Sequence, residues 1–190
     1  MDRLRVEQCD NYQKRSFRNK CIIANSAGSQ VLTIPLKKGK HQEQNIKSTK
    51  ISYAENWQHQ HLQSIISAYG SAPYFDFYFE ELEYLIQVKE EYLFVLNCKI
   101  INKIMEMLQI EGTLEFTDKY YSSEELDNDF RNKIHPRNYS HIVTAPFYPQ
   151  VFSDRHPFFP NLSILDLLFC LGPESNAYLK KLSLRMVEQS

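Results

Sequence analysis

Residues 93–108, LFVLNCKIINKIMEML, decide the fold class. Leu93, Leu96, Ile100, Ile101, Ile104 and Leu108 recur at three- and four-residue intervals. This spacing predicts a helix over 93–108 with one continuous apolar stripe, closed just before Gly112. Short β-rich segments flank it in sequence. Leu4–Gln8 alternates in strand fashion, Val31–Leu36 reads VLTIPL with Pro35 near an end or edge, and Leu114–Phe116 follows the helix. A long amphipathic helix among short strands predicts a single α/β domain. The expected architecture is a small mixed or mainly parallel sheet flanked by helices, with helix 93–108 packed across the sheet.

Other elements fall into place around this frame. Trp57, His61, Ile65 and Tyr69 sit at helical spacing, so Asn56–Tyr69 is expected to be helical, closed by Gly70. Pro73 opens a second segment, Tyr74–Leu85, with aromatics on several faces. Cys21–Ala24 is apolar, and Asn25–Ser29 reads as a turn. Lys37–Lys50 is a polar loop, and Ser122–Lys133 a charged surface helix or loop. Residues 136–160 hold five prolines and many aromatics, which predicts an ordered irregular loop. Ser163–Leu171 is a short apolar helix ended by Gly172-Pro173, with Ser163 and Asp166 at capping-box spacing. The domain is expected over 1–178, with 179–190 as a C-terminal tail.

Composition removes several function classes. The 190 residues carry a formal net charge of −1, which excludes a broadly basic nucleic-acid binder. Five glycines against twelve Tyr and twelve Phe argue against a glycine-rich phosphate loop and for an aromatic-rich core. No apolar run is long enough to span a membrane, and MDRLRVEQCDNYQ lacks the apolar stretch of a secretion signal. A cytoplasmic location is therefore expected. Cys9, Cys21, Cys98 and Cys170 are far apart, so reduced thiols are expected, with no metal site. GxSxG, Walker, HExxH and GxGxxG motifs are all missing.

Three clusters carry candidate chemistry, each beside a plainer reading. In Tyr12–Lys20, an extended chain sends Lys14, Ser16 and Arg18 to one face, a pair of cations suited to a phosphate or carboxylate. The plainer reading is a solvated edge strand. On a helix, Trp57 and His61 lie one above the other, and a histidine beside an aromatic in a cleft suits a general base near neutral pH. The plainer reading is a histidine satisfied by one hydrogen bond. His59 and His61 diverge on a helix and do not form a zinc pair. Asp166 is either an N3 capping carboxylate or a buried carboxylate near a cleft. The aromatics of 69–79 and 139–159 are expected to form the wall and lid of that cleft, with Tyr148, Gln150 and Phe152 in the lid. His41, His135, His141 and His156 are expected to be solvated.

NYQKRSFRNKCII, NWQHQHLQSIISAYGSAPYF and PNLSILDLLFCLGPES, with YPQVF ahead of the last block, resemble the WbqC-like family of bacteria, especially its short Bacteroides-type form. The resemblance covers roughly residues 7–175, and separated matching blocks are more specific than any single motif. Matching positions include Gln13, Lys14, Arg18, Asn19, Trp57, His61, Tyr69, Gln150 and Asp166, with Pro73, Phe75 and Ser163 in packing, turn and cap roles. Longer members occur with genes for surface-polysaccharide (O-antigen) synthesis and are suggested to transfer glycine or a similar small group. Here the chain begins at what resembles the family's second strand. A preceding strand and helix are expected to be missing, leaving Leu4–Gln8 on an exposed sheet edge open to a second copy of the chain.

The resemblance thus implies a group transferase acting on a small-molecule or sugar-linked substrate; no cofactor and no nucleic-acid partner are expected. His61 and Asp166 are the candidate catalytic residues, as base and orienting group. Gln13, Lys14, Arg18, Asn19, Trp57, Tyr69 and Gln150 are the candidate substrate contacts, Lys14 and Arg18 gripping an anionic donor. The alternative is a non-catalytic ligand- or partner-binding module that uses the same cleft.

Overall fold

The expected helix over 93–108 forms over Leu93–Met107 (α3) and buries Leu93, Leu96 and Ile104. It belongs to a computed structural model that describes residues 2–37, 44–126, 129–131, 133–137 and 143–184. Before it come α1 (Trp57–Tyr69) and α2 (Phe75–Gln87). After it come α4 (Ile164–Leu171) and α5 (Ser175–Lys181), the last running across residue 178. In α2 the buried residues are Phe75, Tyr78, Leu82 and Ile86. Phe77 and Tyr84, on the other face, are exposed, and they hide this stripe from a reading of the sequence.

The strands are β1 (Asp2–Val6), β2 (Lys20–Asn25), β3 (Gly28–Thr33), β4 (Gly112–Phe116), β5 (Val143–Thr144) and β6 (Ser183–Leu184). They form separate two-stranded ladders among the described residues: β1 parallel to β4, β2 antiparallel to β3, and β5 antiparallel to β6. The chain is a single α/β domain with mixed pairing. The strand expected at Val31–Leu36 starts and ends earlier, at Gly28–Thr33. It stops before Pro35, which has no N–H to give a ladder. Asn25 faces Gly28 across the hairpin turn, and its side chain accepts the Ala27 N–H at 2.9 Å. Gly28 sits at φ +133°, a conformation that a side chain rarely permits.

Helices α1 and α4 lie on the β2–β3 hairpin, whose Ile23 and Leu32 point into the core. Helix α2 packs against α1, α3 and α4, so it forms the centre of the helical layer. Helix α3 rests on β4 and on a 3₁₀ turn, Ile46–Ser48, instead of crossing a broad sheet. This turn lies in the expected polar loop, and buried Ile46 and Thr49 tie it down. Of the aromatics of 69–79, Tyr69, Phe75 and Tyr78 are buried in the core, where Phe169 meets Tyr69 and Phe75 at ring distances of 5.2 Å each. No helix among the described residues is long and apolar enough to cross a membrane. All four cysteines are free. Burial pushes the Cys21 thiol up to about 11 and the Cys170 thiol up to about 12. His41 and His141 lie outside the described residues.

Candidate functional site

The segment 12–20 is not extended. Arg15 takes a left-handed φ of 60°, and a 3₁₀ turn follows over Phe17–Asn19. The Ser16 hydroxyl donates to the Gln13 carbonyl at 2.7 Å and caps the turn by accepting the Arg18 N–H at 3.4 Å. The turn folds Arg18 back, so its guanidinium donates to the Gln13 side-chain oxygen at 3.1 Å and to the Asp10 carboxylate at 3.1 Å. Lys14 is exposed, and the alternation that would pair it with Arg18 on one face does not apply. Asn19 is spent on structure. It accepts from the Tyr12 hydroxyl at 3.0 Å and donates to the Ile34 carbonyl at 2.9 Å.

Behind this turn, between the hairpin and helices α1, α2 and α3, lies a cleft of about 180 Å³. Its wall is mostly aliphatic, with Leu32, Ile65, Leu82, Leu96 and Ile104 among the lining residues. Arg18, Asn19, Lys20, Asn97, Trp57, His61 and Ser163 supply the polar lining. Four of the nominated residues, Arg18, Asn19, Trp57 and His61, therefore meet here although they come from two distant segments. Asn97 is the addition that sequence reasoning missed. Its side chain donates to the Arg18 carbonyl at 2.8 Å and so holds the turn in place. As a polar residue inside the apolar α3 run it was visible, but only the fold supplies its partner.

His61 is half-buried on α1, with its ring edge-on to Trp57 at 5.1 Å. Its Nε2 lies 3.2 Å from the Thr33 carbonyl of β3. Burial lowers its pKa below the ordinary imidazole value, and the Thr33 carbonyl opposes this. The ring is therefore neutral at neutral pH. A carbonyl only accepts, so Nε2 carries the proton and Nδ1 keeps its lone pair. That is the tautomer a general base needs. Trp57 Nε1 is buried without a hydrogen-bond partner among the described residues.

The other nominated residues gather elsewhere. Asp166 is fully buried at the third position of α4. Ser163 does cap the helix, accepting the Leu165 N–H at 3.4 Å. The Asp166 carboxylate, however, turns inward and accepts from the Tyr148 hydroxyl at 2.7 Å and from Gln150 Nε2 at 3.0 Å. Tyr69, whose hydroxyl accepts the Ala24 N–H at 3.3 Å, faces the same carboxylate. Burial raises the Asp166 pKa, and the hydrogen bonds from Tyr148 and Gln150, with the Tyr69 hydroxyl nearby, pull it part of the way back; its Oδ1 has no hydrogen-bond partner among the described residues. Gln150 also clasps Phe159, donating to its carbonyl and accepting its N–H, both at 2.9 Å. This hub ties loop 145–160 to α4 and to the hairpin. Asp166, Tyr69 and Gln150 are not among the residues lining the cleft, and neither are the aromatics of 69–79 or 147–159. Among the described residues no His/Cys/Asp/Glu group is arranged to hold a metal ion.

A model of the WbqC-like protein family matches residues 1–141. The matched region contains the whole Gln13–Asn19 turn, Trp57 and His61, and ends before the Gln150–Asp166 hub. No curated protein and no solved structure matches the chain.

Proposed function

Because the chain belongs to the WbqC-like protein family, we propose that it is a group transferase that takes a small acyl or amino-acid group, glycine being the smallest, into the cleft beside His61. The setting that the resemblance implies is modification of a bacterial surface polysaccharide. One observation carries the reading: a neutral histidine with an available Nδ1 lone pair lines a cleft sized for a small group. About 180 Å³ lies below the roughly 300 Å³ at which sites for drug-sized molecules begin. A whole nucleotide does not fit such a space, whereas an acyl or aminoacyl group does.

In the step itself, His61 Nδ1 takes the proton of an acceptor amine or hydroxyl. The acceptor's lone pair then forms a bond to the carbonyl carbon of the donor. The donor's leaving group departs with the electron pair of the broken bond. Arg18 and Asn19 belong to the wall of the cleft, with Arg18 offering N–H groups to an oxygen of the bound group. Asp166, Tyr69 and Gln150 act as positioning residues, since they hold the hairpin and α4 that frame the cleft.

A non-catalytic binding module is the second reading. The observation in its favour is that Asp10 and Gln13 already share the Arg18 charge, while Lys14 lies outside the cleft. Turnover of glycyl and acetyl donors with amine acceptors separates the two. His61→Gln is expected to keep ligand binding, read as a raised Tm, and to abolish transfer. Equal transfer by His61→Gln and the parent chain would sink the assignment of the base.

A further inference from the structure

A second cleft, of about 500 Å³, lies on the far side of the Phe17–Asn19 turn. Phe17, Arg18, Asn97 and Ile100 line both this cleft and the smaller one, so the two adjoin with these residues between them. The outer cleft has the size of a small-molecule site, and its lining combines apolar side chains with a few convergent polar ones. Ile101, Phe94 and Ile134 belong to the apolar part.

Its charges are already balanced. Arg18 pairs with Asp10 at 3.1 Å. On the opposite side the well-buried Glu7 carboxylate accepts from Arg131 at 3.4 Å, the Thr117 hydroxyl at 2.8 Å and the Cys9 N–H at 2.7 Å. Arg131 is further held by Asp129 at 2.7 Å. An anion entering the outer cleft meets no unshared positive charge and two fixed carboxylates, Glu7 and Asp10. An uncharged oxygen fares differently beside Arg18. Two Arg18 N–H groups are spent on Asp10 and Gln13, and a guanidinium has more to give. A carbonyl oxygen can accept from them without needing a free countercharge.

We infer that the two clefts are compartments of one site for an uncharged acyl compound, an ester, thioester or amide: its short carbonyl-bearing end sits in the inner cleft, its longer apolar remainder fills the outer one, and its carbonyl oxygen is held by Arg18, which lines both. This rests on the reading of the inner cleft as the seat of the small group. It selects the donor chemistry, a neutral thioester or ester over an acyl phosphate.

The protein carries one tryptophan, Trp57, in the wall of the inner cleft, so its fluorescence reports occupancy there. The probes are propionamide, which fits the inner cleft alone, the octanoyl thioester of N-acetylcysteamine, which needs both, and acetyl phosphate. Propionamide and the thioester are expected to change the Trp57 emission, and acetyl phosphate is expected not to compete. Ile101→Phe narrows the outer cleft only. Ile134→Phe does the same at a position 39% exposed, where a larger side chain does not disturb the fold. Both should weaken the thioester roughly ten-fold or more and leave propionamide unchanged. Arg18→Gln should weaken the thioester by roughly ten-fold, the worth of a charge-assisted hydrogen bond, and leave the carbonyl-free probe N-phenyl naphthylamine unaffected.

Thioester binding that ignores both outer-cleft variants would overturn the inference, as would acetyl phosphate binding as tightly as the thioester. So would an Arg18→Gln loss of the same size for both amphiphilic probes, because that marks a merely structural role. Failure of the transfer reading has a different signature, which is this binding pattern intact with no turnover of any donor.

Discussion

Replacing Asp166 tests whether its carboxylate is the hub that joins loop 145–160 to the body. In Asp166→Ala the Tyr148 hydroxyl loses the acceptor it holds at 2.7 Å. Gln150 Nε2 loses one acceptor but keeps the Phe159 carbonyl at 2.9 Å. Tyr69 loses the carboxylate it faces. The Tyr148 hydroxyl is thus stranded in the interior, at a cost of about 1–3 kcal/mol, while the Tyr69 hydroxyl keeps the Ala24 N–H. For a chain of this length that lowers the Tm by roughly 2–4 °C per kcal/mol, hence by about 2–12 °C. Asp166→Asn keeps an acceptor oxygen for Tyr148 and removes the buried charge, so its cost is smaller.

The pH dependence has a definite sign. Burial raises the Asp166 pKa, so the native state keeps this proton to higher pH than the unfolded state does. The native state binds more protons in that window, which begins near the ordinary carboxylate value and extends upward to the raised one. Stability from this group is therefore present at low pH and lost as pH rises through the window. Asp166→Asn abolishes that loss, so its stability relative to the parent chain should improve from acid to neutral pH. Urea melts followed by circular dichroism, run across that range, measure both effects. An Asp166→Ala variant within about 0.5 kcal/mol of the parent chain, the scatter of an ordinary surface change, refutes the hub. An unchanged pH slope in Asp166→Asn refutes the buried-charge argument.

Three further outcomes are expected. Ile104→Ala, cut from the buried stripe of α3, should cost roughly 2–5 kcal/mol in a denaturant melt, and a melt identical to the parent's would remove Ile104 from the core. Gly172→Ala should lower the Tm, because φ is +54° and a Cβ would run into the Tyr74 ring; the strain alone is about 1 kcal/mol or more, and an unchanged Tm rules the contact out. The His61 ring proton, followed by NMR, should titrate below the ordinary imidazole value, so transfer stays level through neutral pH and falls only on acidification; a midpoint at or above that value contradicts the buried, neutral base.

Helices α1, α3 and α4 were legible in the sequence because their information is local. A stripe such as Leu93, Leu96, Ile104 needs only the helix's own period to be read, and Ser163 announces the start of α4 within one turn. The second aromatic segment was harder, since exposed Phe77 and Tyr84 blur the stripe of α2. The aromatic-rich, glycine-poor composition points to a core, and the clustering of aromatics in 69–79 and 139–159 points to a cleft wall and lid. In the fold these rings pack around Phe169 and against the loop, because core and cleft draw on the same residue types.

The site divides in the same way. Sequence by itself determined that the chain is a single α/β domain, and it nominated His61, Asp166, Gln13, Lys14, Arg18, Asn19, Trp57, Tyr69 and Gln150 without saying which of them share a cleft. Only the tertiary structure decided what those side chains do. Segment 12–20 looks extended when read alone, yet a left-handed Arg15 and the cap from Ser16 turn Arg18 onto Asp10 and leave Lys14 outside. Asp166 stands at capping-box spacing from Ser163, yet its carboxylate answers to Tyr148 and Gln150, which approach from the preceding loop. Spacing along the chain specifies which face of an element a residue occupies. A donor's acceptor, and whether a charge is free or spent, depend on which distant segments the core brings alongside, and no local period encodes that.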